Sequence, residues 1–145
     1  MMSSLTRTVI SGLALLFLAA TSACVGAKPQ TSPQAVLGTT WQWIATITPQ
    51  ETVKAIEPER YTLLLDEERL VARFDCNRGG GQYTLEEGKL SFGMLMSTRM
   101  MCPPDSQDML FMRDLERVAT FRVEDGVLHL GFAGDGGEMQ FLPLP

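Results

Sequence analysis

Three cysteines, six clustered methionines, two arginines set near cysteines and one histidine have the widest chemical options in this 145-residue chain. A thiol can form a disulfide, carry a lipid, cycle between redox states or hold a metal. Cys76 and Cys102 bracket 25 residues, in the runs Phe74-Asp75-Cys76-Asn77-Arg78-Gly79-Gly80-Gly81 and Ser97-Thr98-Arg99-Met100-Met101-Cys102. No C-x-x-C occurs, and His129 is far away in sequence, so a redox-active or metal-binding pair has little support. Arg78 and Arg99 would come close together if the two cysteines were bridged, and two guanidiniums could then hold an anion. The competing reading pairs each arginine with Asp75 or a nearby glutamate, while Asn77 satisfies turn backbone groups. The structural reading is preferred.

Met94, Met96, Met100, Met101, Met109 and Met112 fall within 19 residues. Thioethers can bind Cu(I), a soft ion. Unbranched methionines also fill irregular gaps in cores, and packing is the simpler expectation, so no metal and no cofactor is assigned. No catalytic residue is assigned either. His129 alternates with Leu128 and Leu130, which puts it on the wetter face of a strand without a nearby nucleophile and acid. Ser91, Ser97 and Ser106 lie in no G-x-S-x-G context. The glycines do not make a P-loop, because Gly81 and Gly88-Lys89 are too far apart and Leu90 stands where Ser or Thr should meet Mg²⁺. The expectation is a protein that is not an enzyme, with a hydrolase as the remote alternative.

Residues 1–23 read as an export signal. Arg7 and the amino terminus supply a positive start, and Val9 to Ala20 supplies a largely apolar run of 12 residues, too short for a stable bilayer span. Ala20-Thr21-Ser22-Ala23-Cys24 then looks like a lipobox, in which Cys24 would be diacylated and become the mature terminus. Thr21 departs from the leucine usual at that position. Cleavage after Ala27 is the alternative. Residues 24–36 carry two prolines and polar residues and read as a lipidated cysteine with a flexible tether. Val25 after the cysteine resembles sorting to the outer membrane. The expected location is therefore the bacterial envelope, lipid-anchored and facing the periplasm.

With Cys24 lipidated or removed, Cys76 and Cys102 remain as an even pair in an oxidising compartment, where disulfides persist. A structural bridge is expected. Closing a loop of this length stabilises a fold by roughly 3–4 kcal/mol in the chain-entropy model.

The remaining residues, 37–145, suffice for one domain with one core. Thr39 to Ile47 reads as a strand with Trp41 and Trp43 on one face, a core or rim anchor with an exposed binding surface as the alternative. Residues 61–65 and 69–74 form a hairpin around a charged turn. Residues 82–85 and 89–92 form another, with Gly88 supplying positive φ. Phe111, Leu115 and Val118 recur at helical spacing and predict an amphipathic helix over 106–118, capped by Asp105 or Ser106. Residues 120–123 and 127–132 flank Asp125-Gly126, a strong hairpin signal, and a last strand runs near 138–142. The expected fold is α+β: a mostly antiparallel curved sheet or partly closed barrel with one packed amphipathic helix.

In this order, Trp41 and Trp43 in a first strand, Cys76-Asn77-Arg78 before a glycine-rich turn, Thr98-Arg99-Met100-Met101-Cys102, a helix and closing strands resemble the META domain family. Its bacterial members include the HslJ-type heat-inducible lipoproteins. The resemblance covers about residues 36–143. Arg78-Gly79-Gly80-Gly81 departs from it, since family members usually place an aromatic before the glycine. The resemblance marks Asn77, Arg78, Thr98, Arg99 and Met100 as motif residues. It implies an envelope protein linked to stress, drug tolerance or motility, with no established activity and no agreed ligand.

Composition narrows the partners. Loss of the leader removes Arg7 and leaves 11 basic residues against 17 acidic ones. An acidic domain without a basic stripe argues against nucleic acid. The leading expectation is a binding or support module that meets the membrane through its anchor and has an envelope protein as partner. The alternative is a periplasmic carrier of a small ligand or of Cu(I).

Overall fold

Apolar and polar residues alternate along most of the strands, and the apolar set points to a single core. Strand β1 (Thr40–Ile47) buries Trp41 and Trp43. After a short strand β2 (Thr52–Lys54), β3 (Tyr61–Leu65) buries Tyr61, Leu63 and Leu65, and β4 (Leu70–Phe74) buries Leu70, Ala72 and Phe74. Then come β5 (Asn77–Gly81), β6 (Tyr83–Glu86), β7 (Lys89–Phe92) and β8 (Met96–Ser97). One helix, α1 (Asp108–Leu115), precedes β9 (Val118–Glu124), β10 (Val127–Phe132) and β11 (Glu138–Pro143). These elements come from a computed structural model that describes residues 28–134 and 136–144. The expected export signal and Cys24 lie outside the described residues.

All pairings are antiparallel, in the order β6-β7-β9-β10-β11-β1-β3-β4-β5-β8, with β2 beside β1. Only Gln82 separates β5 from β6, although they stand near opposite ends of that path. One nearly continuous stretch therefore joins both ends and curls the sheet into a half-barrel. The expected α+β balance is corrected to mostly β. The one α-helix among the described residues is eight residues long because Glu116 and Arg117 turn the chain and Val118 pairs with Phe132 instead of extending the helix. Its N-cap is Gln107, not Asp105 or Ser106; the Tyr61 hydroxyl accepts the Gln107 N–H at 2.8 Å.

The helix plugs the concave face through Phe111. Its ring meets Trp43 at 5.6 Å, Tyr61 at 5.8 Å, Phe141 at 6.2 Å and Phe74 at 6.3 Å between centroids. Edge, tilted and stacked contacts of this kind add to the burial of large apolar surface. Trp41 and Trp43 are core residues, so the exposed-surface alternative for them falls.

Two local expectations change. The glycines after Arg78 form strand β5, not a turn. A Cβ on Gly79 would lie 2.1 Å from Met96 O, and one on Gly80 2.0 Å from Leu70 O, so backbones approach too closely on both sides for any side chain. The expected tether also stops short of residue 36. Gln30 exchanges two 2.8 Å backbone hydrogen bonds with Val123, Thr31 O accepts from Gly88 N–H at 2.9 Å, and Val36 is fully buried.

Candidate functional site

The two cysteines are bridged, with S–S 2.01 Å and Cα–Cα 5.5 Å. The bridge ties the β4–β5 turn to the segment that leads into α1. Asn77 beside it is buried and uses its whole amide. Its Oδ1 accepts from Met100 N–H at 2.8 Å and from the Thr98 hydroxyl at 2.9 Å. Its Nδ2 lies 3.2 Å from Met100 O, 3.2 Å from Asp108 Oδ2 and 3.3 Å from Cys102 Sγ. Thr98 completes the seam: its N–H donates to Arg78 O at 2.9 Å, and its hydroxyl accepts Arg78 N–H at 3.1 Å. One amide thus holds strand, loop and helix together, since a buried polar group must find partners.

The turn itself is anchored from behind. Asp75 adopts φ 62°, a left-handed conformation uncommon outside glycine. Arg60 grips its carboxylate with Nε at 2.7 Å and Nη2 at 2.5 Å, and Asp75 N–H donates to Arg60 O at 2.7 Å. Hydrogen bonds from Arg60, then from Ser106, hold the Asp75 carboxyl below its ordinary range. Arg60 is raised in turn, chiefly by Asp75 and then by Glu57.

The tied segment exposes what it carries. Between residues 97–101 and α1 runs a cleft of about 600 Å³, lined by Met100, Met101, Met109 and Met112, with Arg99 and Arg113 among its charged residues. Met101 is 99% exposed, Met109 77% and Met100 62%. On the other side of the segment, the outer face of β4–β5 carries Arg73 directly opposite Arg78. Arg69, Arg73, Arg78 and Arg99 are all exposed, and none makes an ion pair among the described residues.

A family model for the META domain matches residues 34–144. The chain belongs to the META domain family. The match includes the disulfide, the Asn77 seam and the whole half-barrel. Two solved structures share the fold. An NMR structure of a protein from Burkholderia xenovorans is 25% identical, covers 85% of this chain and 94% of its own, and gives a TM-score of 0.67. A second NMR structure is 21% identical, covers 77% of this chain and 94% of its own, and gives a TM-score of 0.56. No curated protein matches the chain.

Within this META domain, the motif residues divide by role. Asn77 and Thr98 hold the seam, and Met100 contributes its backbone to the seam and its side chain to the cleft. Arg78 and Arg99 are not brought to one site, because Arg99 lines the methionine cleft while Arg78 lines the β4–β5 face. The alternative pairing of either with Asp75 also fails, since Arg60 takes that carboxylate. Five of the six methionines are exposed, so the packing expectation holds only in part, for the half-buried Met112. His129 lies on the outer face, as its alternation implies. Its Nδ1 is 2.7 Å from Glu138 Oε1 and 3.1 Å from Arg122 Nη2. Burial opposes the charge on Glu138, but hydrogen bonds from Gln140, His129 and Arg122 outweigh it and hold the carboxyl low. Sequence reasoning missed Arg60 and Arg73. Arg60 is 15 residues from Asp75, and Arg73 gains its meaning only from strand register.

Proposed function

We propose that this META domain is a non-enzymatic binding module of the bacterial envelope. Diacylated Cys24 holds it at the outer membrane, and the methionine cleft receives an apolar segment of an envelope protein, in service of stress or drug tolerance. One observation carries the reading: Met100, Met101 and Met109 stand exposed around one cleft of about 600 Å³. Flexible, polarisable methionines adapt to varied apolar partners and suit an amphipathic segment laid in a groove. A surface of this kind has no role in the core.

The test places a photo-crosslinking amino acid at Met109 in the full chain, in intact cells, with partners identified by mass spectrometry. The expected result is one envelope protein, captured from position 109, lost on Met101→Gln, and not captured from a control position at Thr84. Capture of nothing above the control overturns the reading. Intact mass of the membrane-fraction protein tests the anchor: a mass starting at Cys24 plus acyl chains supports it, and one starting at Lys28 without lipid refutes it. The same thioethers favour a second reading, a Cu(I) carrier. Stoichiometric Cu(I) binding lost on Met100→Leu and Met109→Leu together would favour that carrier over the protein-binding module.

A further inference from the structure

The outer face of β4–β5 sets arginines beside apolar surface, whereas the methionine cleft mixes its arginines with Asp108 and Glu116. Arg73 and Arg78 are register partners one step from the two-residue turn at Asp75-Cys76. At that step of an antiparallel hairpin the side chains lie closest. Like charges set directly opposite destabilise a sheet. Arg73 Nε donates to Asp75 O at 3.3 Å, while the Asp75 carboxylate itself is engaged by Arg60. Two adjoining clefts, of about 630 and 230 Å³, share Val71, Arg78 and Gly79 and between them take in Arg69 and Arg73. Neither is lined by an aspartate or a glutamate, and a third cleft of about 370 Å³, which Arg73 and Arg78 also line, reaches only Asp75, whose carboxylate Arg60 engages. Beside the arginines stand Met94, 87% exposed, and Met96, 74% exposed. Gly80, opposite Val71, keeps the floor low.

The geometry points to an anionic phospholipid as the occupant of this face. Paired guanidiniums take a phosphate through bidentate hydrogen bonds. Val71, Met94 and Met96 offer apolar surface to the glycerol and the first methylenes of the acyl chains, as protruding apolar side chains do beside a basic patch at a membrane surface. A free phosphate would use the arginines and leave that surface idle. A nucleic acid would need a longer basic track. The face adjoins the methionine cleft at Thr98 and Met100, but neither Arg73 nor Arg78 lines that cleft, so lipid and protein partner can be held side by side.

The test titrates the full chain with dihexanoylphosphatidylglycerol below its micelle concentration, followed by the amide resonances of Gly79, Gly80 and Gly81. Saturable shifts are expected with this lipid and not with dihexanoylphosphatidylcholine. Arg78→Gln and Arg73→Gln should each weaken binding at least tenfold. Arg78→Gln relieves a like-charge pair and should not lower the melting temperature, which separates lost binding from lost folding, whereas Arg73→Gln also gives up the hydrogen bond from Arg73 Nε to Asp75 O. Equal binding of the zwitterionic lipid, equal binding of inorganic phosphate, or unchanged affinity in both variants overturns the proposal, as does the absence of saturable shifts.

Discussion

Opening the Cys76–Cys102 bridge is expected to lower stability by about 3.5 kcal/mol, through the unfolded chain. The two cysteines are 26 residues apart in sequence, and the chain-entropy cost of a loop that long sets this figure. A domain of about 110 residues gains roughly 0.2 kcal/mol/K of entropy at its midpoint, so the melting temperature should fall by about 15 °C. The folded seam should survive, because Asn77 holds Met100 and Thr98 without the sulfurs. Asn77→Ala acts on the folded state instead. It strands Met100 N–H and the Thr98 hydroxyl in a half-buried seam and should cost about 3 kcal/mol, at roughly 1 kcal/mol per lost bond plus desolvation. Urea unfolding of the wild type, Asn77→Ala, the double Cys76→Ala/Cys102→Ala variant and their combination closes a cycle. The two losses should add to within about 1 kcal/mol, since they act on different states. The bridge-free forms should also show a larger m-value, because their unfolded chains expand further. A coupling above about 2 kcal/mol, or an unchanged m-value, would refute this division of labour.

Three further outcomes follow from the same structure. Trp43→Ala should cost about 3–5 kcal/mol, whereas Trp43→Phe should cost less, because a ring still fills most of the site and the buried indole N–H given up has no partner among the described residues; urea midpoints check both, and iodide should leave the native tryptophan fluorescence unquenched. Asp75 has a depressed folded pKa, so its stabilising contribution is present above the unfolded value near 3.9 and is lost as pH falls through the folded value. The stability gap between wild type and Asp75→Asn should therefore shrink below about pH 4, and a gap constant from pH 6 to pH 2 would contradict the Arg60 clamp. Gly80→Ala places a Cβ 2.0 Å from Leu70 O and should cost about 1–3 kcal/mol, with faster hydrogen exchange confined to β4 and β5.

The readable parts of the fold were those fixed by local chemistry. Asp125-Gly126 and Gly88 announced hairpins because a tight turn needs positive φ, and both glycines have it. The alternation in Tyr61 to Leu65 and Leu70 to Phe74 named the core faces directly. What stayed hidden depended on neighbours distant in sequence. Three successive glycines have poor strand propensity, and only the backbones of Leu70 and Met96 on either side make them a strand. Val118 fits a helical stripe as well as a strand, and its pairing with Phe132 decides the matter. The bridge could be read from cysteine count and the expected compartment, but the separation of Arg78 from Arg99 could not. A disulfide brings two backbones together without fixing the sides on which their neighbours emerge.

That separation bears on why the seam is built as it is. Residues 98–102 are held by their backbone, by one hydroxyl and by a sulfur, all engaged by β5 and its turn. None of these contacts uses the side chains of Arg99, Met100 or Met101, which are left exposed. Were the methionines present for packing, the segment could bury them against Phe74 and α1 and dispense with the bridge. Instead Met101 stands 99% exposed on a loop that a disulfide and a buried amide hold in place. An exposed apolar side chain gains nothing for folding and raises the risk of aggregation, so a bridged loop that presents several of them supports the proposed role in binding a partner.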